Sequence, residues 1–140
     1  MLQKINMVTV WVRDQDEALA WYTEKLGFEK HADVPFGPGS RWLTVRLPGQ
    51  KELEVVLQRP QALLHGEEGA QRLLDRIGQG STWVISTDDL HTDIELLRDR
   101  GVPIVQEPTE VPWGLSALIT DLYGNVYNLV QTPDHPSDHG

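Results

Sequence analysis

Two glutamates, Glu52 and Glu54, alternate along a β-forming stretch from Glu52 to Gln58, so both project from one face of a strand. The preceding stretch, Arg41 to Leu47, is joined to it by Pro48-Gly49 and presents Trp42, Thr44 and Arg46 on the matching face. Carboxylates beside an aromatic ring can neutralise a ligand ammonium, or move a proton if an apolar pocket raises their pKa. They can also pair with a nearby cation, and Arg46 is near enough in sequence to make that pair across the hairpin. The histidines are dispersed. His31 falls on an edge or rim, His65 in a linker and His91 on the first turn of a helix. His135 and His139, with Asp134 and Asp138, sit in a polar tail where they can bind a metal only adventitiously. There is no cysteine, so no thiolate ligand, disulfide or cysteine nucleophile exists. No Ser-His-Asp arrangement, phosphate loop or nucleophile elbow is present.

The elements that must position these residues repeat. Ile5 to Val12 reads as a strand, and Asp14 with Glu17 three positions on reads as a helix start. Leu19, Tyr22 and Leu26 recur at helical spacing, with Ala18 and Trp21 beside them, and Gly27 stops the helix. A short strand at His31 to Val34 leads into a turn-rich loop, FGPGS, and then into the two strands already named. The second half replays the order. Ser81 to Thr87 is a strand, Asp88 and Asp89 cap a helix with Leu90, Ile94 and Leu97 on one face, and Gly101 ends it. Strands at Val102 to Val105, Leu115 to Thr120 and Val126 to Val130 follow, the last two joined by an Asp121-Leu122-Tyr123-Gly124-Asn125 turn. A helix from Glu67 to Ile77 links the halves. The reading is a single domain over 1–140: a first βαβββ unit at 5–58, a linker at 59–80, a second unit at 81–131, and a disordered tail at 132–140.

With 12 basic against 21 acidic residues the net charge is −9, which argues against nucleic acid as partner. No apolar run is long enough for a membrane span, and MLQKINMVTV lacks the features of a signal peptide, so the expectation is a cytoplasmic protein.

Strand alternation separates two faces. Val8, Val10 and Val12 oppose Met7, Thr9 and Trp11; Leu43, Val45 and Leu47 oppose Trp42, Thr44 and Arg46; Leu53, Val55 and Leu57 oppose Glu52, Glu54 and Val56. In the second half Trp83 and Ile85 oppose Thr82, Val84 and Ser86, Ala117 and Ile119 oppose Ser116 and Leu118, and Tyr127 and Leu129 oppose Val126, Asn128 and Val130. One face is aliphatic. The other mixes aromatic and polar groups as ligand pockets do, which fits sheets curved around a cup. Trp42 and Trp113, the latter in a VPWGL loop, can stack on a planar ligand there, whereas Trp11 and Trp21 are expected to pack structurally.

The stretches INMVTVWVRDQDEALAWYTEKLGF, TWVISTDDLHTDIELLRDRGV and ITDLYGNVYNLVQ together resemble the vicinal oxygen chelate superfamily, the group of glyoxalase I, bleomycin-resistance proteins and extradiol dioxygenases. The resemblance spans about residues 5–131. It implies an α+β fold of two tandem βαβββ units, with curved mixed sheets around a cup, and a homodimer, in some members with units exchanged between chains. Enzymes of the family hold a divalent metal with four side chains, mostly His and Glu. Carried over one at a time, those positions fall on Met7, on Glu54 (or Glu52 if the hairpin shifts), on Thr82 (or Ser81) and on Asn128. Met, Thr and Asn are weak donors for such an ion, so the resemblance implies the metal-free, antibiotic-sequestering branch.

The resulting expectation is a metal-free protein with no cofactor, sequestering an aromatic or cationic antibiotic, toxin or metabolite in an acidic aromatic cup. Its ligand-binding residues would be Met7, Thr9, Trp42, Thr44, Arg46, Glu52, Glu54, Thr82, Trp113, Leu118 and Asn128. Two other readings stand beside it. One is a glyoxalase- or dioxygenase-like enzyme with a non-standard divalent metal site, for instance Glu54 with His31, or with acid–base work by Glu52 or Glu54. The other is a scaffold whose interface matters more than its cup.

Overall fold

Asp14 and Asp89 start the two principal helices by the same device. The Asp14 side chain accepts from the Glu17 amide at 2.9 Å and the Asp89 side chain from the Thr92 amide at 3.2 Å, satisfying donors that the first helical turn leaves over. The computed structural model describes residues 1–35, 41–80 and 82–133, and for 62–65 the backbone alone. The FGPGS loop, Ser81 and the tail from Asp134 onward, with His135 and His139, lie outside the described residues, as does the His65 side chain.

The chain divides between Gln79 and Gly80 into two compact units. The first contains β1 (Met7–Trp11), α1 (Gln15–Lys25), β2 (Glu29–Pro35), β3 (Arg41–Arg46), β4 (Glu54–Gln58) and α2 (Ala62–Asp75). The second contains β5 (Trp83–Ser86), α3 (Leu90–Asp99), β6 (Ile104–Val111), β7 (Gly114–Thr120) and β8 (Val126–Gln131). Both sheets are mixed and share one plan: order β1-β4-β3-β2 in the first and β5-β8-β7-β6 in the second, the first-named pair parallel and the rest antiparallel. The fold is α+β with tandem βαβββ units, as the repeat predicts.

In the first unit Val10, Val12, Leu43, Val45 and Leu57 are buried, and α1 covers them with Ala18 and Tyr22. Tyr22 meets Phe28 edge to face, with ring centroids 5.6 Å apart. Trp21 packs against Tyr22, as expected of a structural residue. Arg41 ties β3 to β2 through both oxygens of Asp33, at 2.7 and 2.8 Å, and to α1 through Asp16. In the second unit Leu90, Ile94 and Leu97 of α3 cover Ala117, Ile119, Tyr127 and Leu129.

Four sequence expectations shift. Of the two aspartates expected to cap α3, Asp89 alone is the N-cap, and the helix has 10 residues where α1 has 11. The helix expected from Glu67 is entered one turn earlier, at Ala62, but Gly66 (φ 72°) breaks it, so the uninterrupted part begins where the periodicity does. β6 runs to Val111 instead of stopping at Val105; polar and charged residues fill it because it is an edge strand, and irregular pairing between Gln106 and Thr109 accommodates Pro108. β4 begins at Glu54, not Glu52. Its parallel partner β1 starts opposite, at Met7, and without a neighbour the chain upstream has no ladder to join. The Pro48-Gly49 turn does form, with Gly49 at φ 84° and Gln50 N–H donating to Leu47 O at 3.0 Å, but the strand does not resume directly after it.

Candidate functional site

Pairing of β2 with β3 slips between Lys30 and Ala32, leaving His31 as the extra residue of a bulge. A bulge re-aims its side chain, and here the imidazole reaches across β3 to β4: His31 Nδ1 lies 2.5 Å from Glu54 Oε1. Thr44, on β3 between them, is fully buried. Its hydroxyl donates to Glu54 Oε1 at 2.7 Å and accepts from the Ala32 amide at 3.1 Å. Glu54 is only 16% exposed at its side chain. Burial pushes its carboxyl up, but hydrogen bonds from Thr44 and His31, the charge of His31 when its ring is protonated, and the charge of Arg46 outweigh this and hold it below the usual carboxylate range. Glu54 is therefore a carboxylate whose charge is already met by protein donors.

Met7 stands in register with Glu54, and Thr9 and Thr44 with Val56, so Met7, Thr9, Thr44 and Glu54 share one face of the first sheet. Trp42 and Arg46, both half-buried, alternate with Thr44 on that face. Glu52 does not join them. It is exposed, beyond the end of β4, and its ion pair is with Lys4 at 3.5 Å. The expected glutamate pair is thus split. Among the described residues no ion pair joins Arg46 to either glutamate; Arg46 acts on Glu54 only through its charge. His31 takes the place expected for Arg46, because a bulge brings β2 within reach and nothing in EKHADVP marks a bulge.

In the second unit Asn128 faces Leu118 on β7 and Val84 on β5, and its side-chain oxygen accepts from Ser116 Oγ at 2.8 Å. Thr82 is exposed just ahead of β5. Trp113 occupies a tight two-residue turn between Val111 and Gly114 rather than a loose loop, and is 56% exposed. Gly114 is obligatory there: at φ 138°, an added Cβ would come within 2.1 Å of Gln131 O. Asp121 holds the turn before β8, accepting from the amides of Tyr123 and Asn125 at 2.8 and 2.9 Å and from Asn125 Nδ2 at 2.8 Å.

The two units share a register. Trp11 faces Gln58 as Ser86 faces Val130, and the next amide, Val12 or Thr87, donates to the Gln58 or Val130 carbonyl at 2.9 Å in both. On that match Val56 corresponds to Asn128, and Glu54 to Val126. The positions carried onto Glu54 and Asn128 are therefore not equivalent, and the equivalent of Asn128 in β4 is an aliphatic residue only 3% exposed. Among the described residues no three His, Cys, Asp or Glu side chains cluster closely enough to hold a metal ion. The donors around Glu54, a thioether, a hydroxyl and one imidazole already bonded to the carboxylate, do not fit the divalent metal of the family's enzymes.

Tandem βαβββ units with this strand order define a class, and the sequence falls within it. The chain belongs to the Glyoxalase/Bleomycin resistance protein/Dioxygenase superfamily, whose model matches residues 4–129. It is similar to the crystal structure of UcmS2, at 38% identity and a TM-score of 0.83, over 92% of this chain and 98% of that one. It is also similar to TnmS3, an antibiotic binding protein from Streptomyces sp. CB03234, at 30% identity and a TM-score of 0.74, over 94% of this chain and 98% of that one. YetH of Bacillus subtilis (strain 168) is 32% identical over 129 residues, which cover 92% of this chain and 98% of YetH. No helix among the described residues is long and apolar enough to cross a membrane.

Proposed function

We propose that this chain is a metal-free small-molecule-binding protein that sequesters or delivers an aromatic antibiotic, toxin or metabolite, as a cytoplasmic homodimer. The observation that carries the reading is the state of Glu54. Its charge is satisfied by His31 and Thr44, and its in-register neighbour Met7 and the adjacent Val56 offer nothing that would hold a hard cation. The similarity to an antibiotic binding protein supports the same reading. With Glu52 turned away to Lys4, an aromatic ligand is favoured over a strongly cationic one. Met7, Thr9, Trp42, Thr44, Arg46 and Glu54 form the face of the first unit that would receive it; Thr82, Trp113, Leu118 and Asn128 are the candidates in the second.

The test is tryptophan-fluorescence quenching against a panel of planar aromatic compounds, neutral and cationic. Saturable quenching that Trp42→Ala weakens about tenfold is expected, since a lost stacking wall is worth about 1 kcal/mol or more. Absence of saturable binding across the panel overturns the reading. A second reading, an enzyme with a non-standard metal at His31 and Glu54, draws on their contact, but the described neighbours supply no third carboxylate or imidazole.

A further inference from the structure

We propose that His31 is the group that selects the ligand, its Nε2 accepting the proton of an acidic aromatic hydroxyl, a phenol or enol, on the bound molecule. The inference rests on the small-molecule-binding reading above and gives that reading a ligand class.

An ionised carboxylate has no proton to give, so the 2.5 Å contact with Glu54 requires the hydrogen to be on His31 Nδ1. In the neutral ring that fixes the lone pair on Nε2. Among the described residues Nε2 has no hydrogen-bond partner, and the side chain is 41% exposed, so the acceptor is open to an incoming group. The ring is held from behind. Glu54 is fixed by Thr44, and Thr44 by the Ala32 amide one residue beyond the bulge. An imidazole oriented by a carboxylate is a proton acceptor whose protonated form has its counter-charge in place.

The surrounding charges agree. Arg46 on β3 offers a positive charge to a phenolate. Lys30, beside His31 on β2, is engaged with Asp33 at 3.8 Å; Glu29 lies opposite Arg46; Glu52 is drawn off by Lys4. β1 contributes Met7, which is uncharged, opposite Glu54. On binding, the ligand O–H bond breaks and an Nε2–H bond forms, leaving a phenolate beside an imidazolium that Glu54 compensates. No bond to carbon changes, and no oxidant or reductant is needed.

Umbelliferone, a planar hydroxycoumarin whose phenol and phenolate absorb at different wavelengths, is the probe, with its methyl ether as control. With the full chain, umbelliferone should bind saturably and its titration midpoint should fall by about one pH unit, a tenfold preference for the phenolate worth about 1.4 kcal/mol. His31→Gln should abolish that shift and weaken umbelliferone about tenfold while leaving the methyl ether within twofold. Glu54→Gln should shrink the shift with His31 still present. The proposal is overturned if umbelliferone binds with an unshifted midpoint, if His31→Gln keeps the shift, if both coumarins lose affinity equally, or if umbelliferone does not bind. Saturable quenching by other planar compounds would in each of these cases leave the broader binding reading standing.

Discussion

His31 Nδ1 and Glu54 Oε1 meet at 2.5 Å although β2 and β4 are not neighbours in the sheet: the contact spans β3, over the buried hydroxyl of Thr44. Three strands are thereby joined by side chains on the face that the alternation pattern marks as mixed. The unit of interest is the triplet, since removing any one member leaves the others with an unmet donor or acceptor.

Thr44→Val keeps the shape of the side chain but takes a donor from Glu54 and an acceptor from the Ala32 amide. It should cost about 1–3 kcal/mol in denaturant unfolding, whereas Thr44→Ser, which keeps the hydroxyl, should cost clearly less. Equal losses for the two would show that methyl packing, not the hydrogen bonds, is what Thr44 contributes.

The acid limb of the stability curve should carry the mark of Glu54. Its carboxyl sits lower in the folded protein than in the unfolded chain, so its contribution is present above the ordinary carboxylate range and is lost as pH falls through the folded value. Asp33, lowered chiefly by its hydrogen bond to Arg41, acts in the same direction. Unfolding free energy should therefore fall below about pH 4, and less steeply in Glu54→Gln. A Glu54→Gln curve parallel to the parent's would contradict this.

Gly114→Ala and Gly101→Ala form a matched pair. Both glycines have positive φ, but an added Cβ at Gly101 meets nothing within 4 Å, while at Gly114 it strikes the Gln131 carbonyl. Gly101→Ala should cost about 1 kcal/mol, the ordinary penalty of the left-handed region. Gly114→Ala should cost several times more or fail to accumulate as folded protein, as judged by circular dichroism and urea melts.

Asp121→Ala removes a nearly fully buried carboxylate that holds the turn entering β8. A loss of about 2–4 kcal/mol is expected. Asp121→Asn should be intermediate, because it can still accept from the Tyr123 and Asn125 amides but opposes one amide nitrogen to another at Asn125 Nδ2. If both variants melt with the parent, the backbone bonds carry the turn without this side chain.

Protein purified without a histidine tag and dialysed against Ni, Zn, Mn or Fe(II) should retain well under one equivalent per chain by elemental analysis. A full equivalent that Glu54→Gln releases would move the protein to the enzymatic reading.

Much of the fold is legible in the sequence because each device leaves a local trace. The apolar alternation of Val8, Val10 and Val12, the capping Asp14 and Asp89, the stop glycines and the Asp121 turn are each decided within a few residues. Strand ends are less legible: Glu52 belongs to the right pattern but has no neighbour to pair with, a fact set by where β1 starts. The site is legible only in part for a similar reason. Glu54, Thr44 and Met7 are marked by alternation, but alternation assumes an even ladder. The slip at His31 breaks it without a glycine or any other signal, so the sequence offers Glu54 with His31 only as one alternative metal site and not as the hydrogen-bonded pair that the bulge creates. Ser116, which positions Asn128, was readable as a face residue but not as its partner, since that depends on the separation of β7 and β8.

Each sheet takes all four of its strands from its own stretch of chain, so among the described residues the segment passing Gln79 and Gly80 crosses no ladder. Severing the backbone there would leave every strand pairing within a single fragment. Each fragment would also retain its capping aspartate and its own helix against its own sheet, which makes this junction the natural place to split the gene into two separately expressed pieces.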